Sequence, residues 1–408
     1  MSHIRDVALG NSYEVPAVID ELSKTKAMVR LGNILQCPFS RKYTKTHKPM
    51  RNTRLEHSRG ATYVVGEIAK TVGWEPEEYQ IATFLHDINH PAPGGHVLEG
   101  IFDYESRLQD TIRNDEEIER ILNKHGYDIK KIVQLSEHQI IQQWEFLDYC
   151  TRDGWYFDQN TNLNFGKEFS RLLLHMKDIE RRAEIVEDEC LPSIDVSLHQ
   201  FLFLRARLAE NVYHGNPERY TGSLVRNLVK RGMDEGKLTE GTLYSETPQE
   251  FYNKLLDETI SVKNLLDVTR NYINLVFLGF GRLEEHSDFF EDPTEPNYRV
   301  GHEDAKRLGL LRYRENFELK EEMEEDIRRE GVKFATIDWI KIMKPKVIKI
   351  KGTPSGEETV GEDLIPLYEN LNDFRVYGLP GTRKICENIF GIPHQGSDIS
   401  EEDATVLY

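Results

Sequence analysis

The chain has 408 residues, of which 38% are hydrophobic and 30% charged, and its formal net charge is -18 at pH 7. The composition is typical of a globular protein, and no apolar run approaches the ~20 residues of a membrane span. The acidic balance argues against a dedicated nucleic-acid scaffold, because such proteins neutralise phosphates with Lys and Arg. Four cysteines without CxxC spacing, and a start, MSHIRDVALGN, without an apolar signal segment, predict a cytoplasmic protein with reduced thiols and no membrane partner.

Helical spacing of apolar residues runs through most of the chain. It predicts a helical region over 14–36 and, after a basic segment at 40–54, one helix that stops near Gly73 and another that begins at Pro76. The basic segment contains six Lys or Arg residues and is either a solvated loop or an electrostatic approach for an anion. Further helices are predicted over 103–125, 128–158, 166–183, 199–215 and 253–274.

The pattern changes after about residue 330. VKFATIDWIKI and KVIKIKG alternate as strands do, with Pro345 between them, and a mixed segment follows. The last residues, SDISEEDATVLY, form an acidic tail. We therefore expect a helical domain over 1–325, a small α+β region over 326–395, and the tail over 396–408.

Histidines and an aspartate cluster around the two early helices. His57 lies near the start of the first helix, His86 and Asp87 end the second, and His90 follows in a loop rich in Pro and Gly. Imidazole together with carboxylate is the ligand set of a hydrolytic metal site. A single histidine on a helix is more often structural, but this combination, with the acidic helix at 140–153, predicts a metal centre.

Four ordered motifs carry a family resemblance. NTRLEHSRG, FLHDINHP, LDYCTRD and RARLAENVY resemble successive motifs of the HD superfamily of metal-dependent phosphohydrolases, named for its His…His-Asp…Asp ligand set. The resemblance is closest to the deoxynucleoside triphosphate triphosphohydrolases, the branch of the dGTPases and the SAM-and-HD-domain dNTPase, and runs from about residue 14 to 230. It implies a mainly α fold with an HD-domain helical core, to which the strand pattern adds a small α+β C-terminal appendage.

The resemblance implies a divalent metal, Mn, Mg, Fe or Zn, held by His57, His86 and Asp87. The family's fourth ligand is an aspartate four positions before the tyrosine of the third motif. This chain has Glu145 at that position, and glutamate is a competent oxygen ligand with a longer reach. Asp148, three residues later on the same predicted helix, is the alternative fourth ligand.

By the same resemblance, His90 is the general acid that protonates the leaving 5′-oxygen, and Glu99 orients it. Substrate contacts are implied for Gln36, Arg54, His96, Tyr149, Asp153, Arg205 and Tyr213. The two arginines match phosphate-binding residues, whereas the tyrosines, the glutamine and the aspartate match residues around the deoxyribose. Without the resemblance, the tyrosines would be interpreted as core aromatics and Arg205 as a surface residue.

The chain departs from the family pattern at two places near the motifs. The loop HPAPGGH is one residue longer than the usual spacing, and Phe146 stands where near relatives have a phosphate-binding lysine. The implied reaction is hydrolysis of a deoxynucleoside triphosphate at the α-phosphorus to a deoxynucleoside and inorganic triphosphate. Two alternatives stay open: another HD-type nucleotide phosphatase or phosphodiesterase, and a catalytically weak nucleotide-binding regulator. The relatives assemble as tetramers or hexamers, so a homo-oligomer is also implied.

Overall fold

The computed structural model consists mostly of helices joined by short turns, as the sequence predicts for a mainly α fold. It describes residues 2–38, 52–94, 98, 102, 105–157, 165–180, 189–190, 195–258, 296, 298–315, 317–330, 335–337, 348–353, 356–369, 371–378 and 382–395. Within these ranges the strands form three small sheets. No helix in the described part of the chain has the length and apolar character needed to cross a membrane.

An antiparallel hairpin precedes the first helix. Its strands are β1 (Ser2–Asp6) and β2 (Asn11–Val15), and Oδ1 of Asp6 accepts hydrogen bonds from the backbone N–H groups of Ala8 and Leu9, at 3.0 Å each. These two bonds close the turn, because a short carboxylate can cap backbone donors two and three residues further on. These two strands were not predicted from the sequence.

The helical region predicted over 14–36 is corrected to two short helices. They are α1 (Ala17–Leu22) and α2 (Lys26–Leu31), and the residues before Pro16 belong to strand β2. The interruption has a local cause, since the Thr25 hydroxyl accepts a hydrogen bond from Met28 N and so caps a new helix start. The apolar spacing alone could not distinguish one long helix from two.

The main helical body follows in chain order. Its helices are α3 (Arg54–Thr71), α4 (Pro76–Leu85), α5 (Leu108–Asn114), α6 (Glu116–Lys124), α7 (Ile129–Leu135), α8 (Gln139–Trp144), α9 (Phe146–Phe157), α10 (Phe165–Glu180), α11 (Asp195–Leu208), α12 (Asn216–Asp234), α13 (Glu240–Ser245) and α14 (Pro248–Glu258). A 3-10 turn, Glu105–Arg107, precedes α5, and a π-helical turn, Ala209–Tyr213, joins α11 to α12. Of the helix predicted over 253–274, the described residues reach 258.

Helices α3 and α4 pack against each other and have the predicted ends. A capping box formed by Thr53 and Glu56 starts α3, Gly73 at φ 79° follows its last turn, and Pro76 is the first residue of α4. Because α4 ends at Leu85, the next two residues of the chain lie immediately after the end of the helix.

Helix α9 lies close against α3 at Gly60. A methyl group at this position would overlap the Asp148 carboxylate and the Arg152 guanidinium. Glycine is therefore required here for close approach, since any larger residue would force the two charged side chains away from α3. This contact sets the spacing between the two helices that carry most of the polar site described below.

The other strands described are β3 (Glu189–Cys190), which lies between α10 and α11, and five strands in the C-terminal part of the chain, where five further α-helices are described. The C-terminal strands are β4 (Tyr298–Val300), β5 (Ala335–Ile337), β6 (Ile348–Thr353), β7 (Gly356–Val360) and β8 (Phe374–Gly378), and the helices are α15 (His302–Arg307), α16 (Leu311–Glu315), α17 (Phe317–Arg329), α18 (Ile365–Glu369) and α19 (Thr382–Phe390). One sheet has the order β3-β6-β7 and the other β4-β8-β5. Strands within VKFATIDWIKI and KVIKIKG are confirmed.

Apolar packing among the described residues crosses the predicted domain boundary between residues 325 and 326. Helix α17 spans these two residues, and the apolar core around the β4-β8-β5 sheet starts at Tyr298 and includes Ile327. In addition, Leu364 and Tyr368 from the C-terminal part belong to the same apolar core as the early helices. The division into a helical domain and a C-terminal region stays a prediction. The predicted tail over 396–408 lies outside the described residues.

Candidate metal centre

Three elements bring the predicted metal ligands together. His57 projects from the first turns of α3, His86 and Asp87 follow α4, and Glu145 lies at the junction of α8 and α9. One potential ligand atom from each of His57, His86 and Asp87 lies within 4.8 Å of the others. Both imidazoles are almost fully enclosed, so the group is a preformed pocket and not a surface cluster.

The hydrogen bonds of the two histidines fix which nitrogen faces the centre. Nδ1 of His86 lies 2.5 Å from the carbonyl oxygen of Thr83, and Nδ1 of His57 lies 2.8 Å from Asp148 Oδ2. A carbonyl and a carboxylate only accept, so both Nδ1 atoms carry the proton. When the rings are neutral, as metal binding requires, the lone pairs are therefore on the two Nε2 atoms, the arrangement that outer hydrogen bonds give to histidines that bind metals.

The two Nε2 atoms converge on the same carboxylate oxygen. Glu145 Oε2 lies 2.7 Å from Nε2 of His86 and 3.7 Å from Nε2 of His57. Asp87 Oδ1 lies 3.7 Å from Nε2 of His86. Nε2 of His86 is buried and makes no hydrogen bond of acceptable geometry with any described residue. Nitrogen and oxygen lone pairs directed at one point fit a cation, and this donor set of imidazoles and carboxylates suits Mn, Mg, Fe or Zn.

The electrostatics of the pocket point the same way. Burial by itself lowers the pKa of His57, but hydrogen bonds to Asp148 and Glu145 outweigh it and raise that pKa to about 10. Burial favours the neutral form of Glu145, yet His86 and His57 lower the pKa of its carboxyl to about 2. The pKa of Asp87 is also well below its usual range, against the effect of burial, because of Arg54 and His86. The pocket thus favours positive charge beside two ionised carboxylates.

Asp148 has a different position from Glu145. Its Oδ2 faces Nδ1 of His57, and Arg152 donates to it through Nη2 at 2.7 Å to Oδ1 and through Nε at 3.1 Å to Oδ2. The Asp148 carboxylate therefore lies on the far side of the His57 ring from the point where the Nε2 atoms converge. Of the two alternatives for a fourth ligand, the geometry favours Glu145.

The predicted general acid lies beside this pocket on a turn held from another helix. His90 is buried, and Nη2 of Arg30, from α2, donates to the carbonyl oxygens of His90 at 2.7 Å and Ile88 at 3.1 Å. Arg54 Nη1 lies 3.1 Å from Asp87 Oδ2, so the predicted phosphate ligand already pairs with a predicted metal ligand. Burial lowers the pKa of Arg30 to about 10.

A second polar group surrounds Asp153, two turns along α9 from Glu145. The Tyr213 hydroxyl donates to Asp153 Oδ2 at 2.7 Å, Asn52 Nδ2 donates to Oδ1, and Cys37 Sγ lies 3.9 Å from Oδ2. Burial raises the pKa of Asp153 to about 6 in spite of the hydrogen bond from Tyr213. Gln36 is linked to the group through its backbone N–H, which donates to the Asn52 carbonyl at 2.9 Å.

The π-helical turn after α11 places Tyr213. A π-turn inserts one extra residue per turn and so rotates the side chains that follow, which occurs frequently at functional sites. Here it brings the Tyr213 ring to an edge contact with Tyr149, at 6.2 Å between ring centroids, while its hydroxyl bonds Asp153. Tyr149 in turn contacts the His57 ring at 6.0 Å, so it lies between the metal pocket and the Asp153 group.

Arg205 is held between two phenols. Its Nε donates to the Tyr149 hydroxyl at 3.0 Å and its Nη1 donates to the Tyr368 hydroxyl at 2.9 Å. The guanidinium carbon also lies 5.6 Å from the centroid of the Tyr368 ring, a cation–π distance. These two phenols orient the guanidinium.

Sequence reasoning missed several residues of this site. Asn52 and Arg152 lie within the motifs NTRLEHSRG and LDYCTRD, so the motifs offered a signal that was not used. Arg30 and Cys37 flank the predicted Gln36 on the early helical segment and its loop. Tyr368 had no local signal, because its neighbours in sequence predict only an amphipathic turn. His96 and Glu99 lie outside the described residues.

The comparisons with known proteins agree with this geometry. The family model described as HD domain matches residues 54–193, about a third of the chain. No curated protein matches the chain. Among solved structures, a hypothetical protein from Aquifex aeolicus has 17% sequence identity and a TM-score of 0.52, with 96% of this chain and 99% of that chain covered. A phosphohydrolase from Bacteroides thetaiotaomicron also has 17% identity and a TM-score of 0.52, with 93% and 99% covered. Residues 54–193 thus match the HD domain model, and the fold of the chain is similar to that of these two proteins over nearly its whole length.

Proposed function

We propose that the protein is a metal-dependent phosphohydrolase whose substrate is a deoxynucleoside triphosphate. The observation that carries the proposal is the convergence of His57 Nε2, His86 Nε2 and Glu145 Oε2 beside Asp87, with each Nδ1 tied to an outer acceptor. The HD domain match over this segment and the name of the Bacteroides protein support hydrolysis of a phosphate ester or anhydride. A divalent ion bound there supplies an activated water and polarises a phosphate oxygen.

The proposed reaction breaks the bond between the α-phosphorus and the 5′-oxygen. The oxygen of water forms the new bond to phosphorus, and the electron pair of the broken bond stays on the 5′-oxygen. His90 donates the proton that this oxygen takes up, so a neutral deoxynucleoside and inorganic triphosphate are the products. Arg54, which lies beside Asp87, and Arg205, which bonds Tyr149, would hold the polyphosphate.

The group around Asp153 supports a sugar site. Tyr149 fills the space between the metal pocket and Asp153, so it would contact C2′ and leave no space for a 2′-hydroxyl, and the Asp153 carboxylate would accept the 3′-hydroxyl. Gln36 Oε1 is buried without a hydrogen-bond partner in the described part of the chain, and it is a further acceptor for a sugar hydroxyl. His96 and Glu99 remain proposed members of this site by resemblance.

The experiment that tests this function separates the products. Purified protein is incubated with each of the four dNTPs and Mn²⁺, Mg²⁺, Fe²⁺ or Zn²⁺, and the products are separated by anion exchange. We expect deoxynucleoside and intact triphosphate, and at least a hundredfold lower rate for His90→Ala, since general acid catalysis contributes roughly 10²–10⁴-fold. Release of phosphate or a nucleoside monophosphate would establish the alternative phosphatase or phosphodiesterase. If wild type and His90→Ala both bind dNTP, and the wild type hydrolyses it no faster than the variant, the protein is the regulator.

We also propose a cytoplasmic homo-oligomer, a tetramer or hexamer, by resemblance. The three cysteines whose side chains are described, Cys37, Cys150 and Cys386, are buried free thiols, which agrees with a reducing compartment. Light scattering after size exclusion measures the assembly, and a monomeric mass with and without dNTP would contradict it.

A further inference from the structure

We propose that Asp6, in the N-terminal hairpin, is a positioning residue for the metal centre. It acts through Arg152 and Asp148 on the ring of His57, a proposed metal ligand about fifty residues away in sequence. The inference rests on the proposed metal site, and it assigns to the hairpin a role that neither the motifs nor the HD domain match includes, because Asp6 precedes residue 54.

The connection is an unbroken series of short polar contacts. Arg152 Nη2 lies 2.7 Å from Asp6 Oδ2 and 2.7 Å from Asp148 Oδ1, and Arg152 Nε lies 3.1 Å from Asp148 Oδ2. Asp148 Oδ2 then lies 2.8 Å from Nδ1 of His57, whose other nitrogen faces the metal pocket. Three side chains therefore separate the backbone of strand β1 from the proposed metal ligand.

Burial makes these contacts strong and leaves the side chains few alternatives. The exposed side-chain fractions are 6% for Asp6, 4% for Arg152, 0% for Asp148 and 2% for His57. Removing one partner from a buried ion pair leaves the other charge without compensation, and that charge then moves or recruits water. Arg152 without Asp6 would have to satisfy its outer N–H groups elsewhere, and its paired contact with Asp148 would change.

The guanidinium geometry explains how orientation is transmitted. Arg152 presents one edge to Asp148 through Nε and Nη2, and a planar fork of this kind matches a carboxylate in one orientation only. Asp6 contacts the Nη end of the same plane, including Nη1 at 3.4 Å. The two carboxylates together fix the plane, and the plane fixes the rotation of the Asp148 carboxylate that meets His57.

The hairpin is docked by contacts that do not involve the Asp6–Arg152 pair. Tyr13 of β2 stacks on Tyr63 of α3, with ring centroids 4.6 Å apart and planes at 14°, and Leu9 and Val15 are buried in the main apolar core. A variant that loses only the ion pair can therefore keep the hairpin in place. These contacts fix the position of Asp6 relative to α3 independently of its ion pair with Arg152.

Asp6→Asn is the variant that separates the two roles of this side chain. Oδ1 accepts from Ala8 N and Leu9 N, and the asparagine carbonyl can keep both bonds. Oδ2, which accepts from Arg152 Nη2 at 2.7 Å and from the Tyr13 hydroxyl at 3.4 Å, becomes an NH₂ group that faces these donors. The turn is retained and the short contact with Arg152 is lost, so that the 3.4 Å contact from Nη1 to Oδ1 is what can remain of the pair.

Asp115→Asn is the matched control. Asp115 Oδ1 also accepts two backbone N–H groups at 3.0 Å, from Glu117 and Ile118, at the start of α6. This side chain makes no contact with an arginine in the described ranges. The control therefore carries the same chemical change at a cap that is not connected to the metal pocket.

The measurement is the dissociation constant for Mn²⁺, by electron paramagnetic resonance, together with the visible spectrum of the Co²⁺ form. We expect Asp6→Asn to weaken Mn²⁺ binding about tenfold, since partners behind a metal ligand typically contribute 10–100-fold. The Co²⁺ spectrum should also change, because the His57 ring shifts within the coordination sphere. Asp115→Asn should leave both unchanged.

A double variant keeps the test decisive if Asp6→Asn is also less stable. Arg152→Gln alone should weaken Mn²⁺ binding, and adding Asp6→Asn to it should weaken binding no further, because Asp6 acts through Arg152. Additive losses, or an unchanged affinity and spectrum in Asp6→Asn, would overturn the inference while the proposed function stands. If wild type and His86→Ala bind Mn²⁺ equally, the proposed metal site itself fails, and the inference with it.

Discussion

The metal-facing and substrate-facing sides of the candidate site are built in different ways. The metal side draws its ligands from α3, α4 and the α8–α9 junction, all within the HD domain segment, and each histidine is held by an outer acceptor. The substrate side combines Asn52, Asp153, Arg205, Tyr213 and Tyr368, from five separate elements. The metal side is thus a compact unit, whereas the substrate side depends on how distant parts of the chain pack together.

The two sides also differ in their electrostatics. Carboxyl pKa values are lowered on the metal side, at Glu145 and Asp87, because imidazole and guanidinium groups lie beside them. On the substrate side the pKa of Asp153 is raised to about 6, because burial exceeds the effect of its hydrogen bond from Tyr213. Two ionised carboxylates, Glu145 and Asp87, therefore lie near a carboxyl group, Asp153, that is partly protonated near pH 6.

The largest expected effect is on metal binding and turnover, and it should differ between Glu145, at the α8–α9 junction, and Asp148, in α9. Glu145→Gln should weaken metal binding and turnover more than a hundredfold, because Glu145 is the proposed ligand. Asp148→Asn should weaken them only about 10–100-fold, as expected for a partner behind a ligand. Metal affinity by calorimetry and initial rates measure both. A larger loss in Asp148→Asn would exchange the two roles.

Close approach of α3 and α9 should be the next most sensitive feature. Gly60→Ala should lower the free energy of unfolding by up to about 3 kcal/mol and weaken metal binding, because the added methyl overlaps Asp148 and Arg152. Gly241→Ala is the control, since a methyl there meets its nearest neighbour, Thr239 Oγ1, at 3.7 Å. Denaturant unfolding in the presence of chelator gives the stability difference. Equal effects of both changes would show that the helices can separate without cost.

The pKa of Asp153 predicts a slope of stability with pH. Its pKa in the folded state, about 6, lies above the usual aspartate value of 3.8, so the folded state holds the proton more tightly. The free energy of unfolding should therefore fall as pH rises from about 4 to about 6, by at most about 3 kcal/mol, and stay lower above that. Asp153→Asn should flatten this fall whatever its effect on absolute stability.

Glu145 supplies the opposite slope for comparison. Its pKa in the folded state, about 2, lies below the usual glutamate value of 4.5, so its contribution to stability is present above pH 4.5 and is lost as pH falls toward 2. Chemical unfolding in chelator across pH 3–8, for wild type, Asp153→Asn and Glu145→Gln, separates the two. A slope between pH 4 and 6 that survives in Asp153→Asn would assign it to another group.

The smallest expected effect concerns Tyr368, whose hydroxyl accepts a hydrogen bond from Arg205 although the two residues lie far apart in sequence. Tyr368→Phe removes one neutral hydrogen bond to the guanidinium and keeps the ring, so KM for the dNTP should rise severalfold with little change in kcat, a difference of about 1 kcal/mol. Tyr298→Phe, which removes a bond to the Ile392 carbonyl in the C-terminal sheet, is the control. Steady-state kinetics measure both. Equal KM values would remove Tyr368 from the substrate side.

Local sequence signals predicted the ends of the two helices that lead to the proposed metal ligands. The capping residues, Gly73 and Pro76 predicted the ends of α3 and α4, because such signals act within a few residues. The motifs singled out His57 and His86 as a pair of candidate ligands. The choice between Glu145 and Asp148 could not be made from helix spacing, since residues three apart lie on neighbouring positions. It depends on which side of the His57 ring each carboxylate meets.

The remaining errors have the same physical origin. The hairpin before α1 was missed because β1 is short and its pairing depends on a turn closed by one carboxylate, Asp6. Strand β4 was also not predicted, because it is three residues long and its partner β8 lies more than seventy residues later. Short strands carry weak local preferences, so their pairing is decided by burial against the rest of the molecule.

The sequence by itself determined the helical character of the chain, the ends of α3 and α4, and the residue types that can hold a metal ion, because these follow from local hydrogen bonding and side-chain chemistry. Only the tertiary structure decided that Asp148 stands behind His57, that Asp6 reaches this pair through Arg152, and that Tyr368 holds Arg205. Such contacts join residues far apart in sequence, and they form only where buried charges and phenols must find partners once water is excluded.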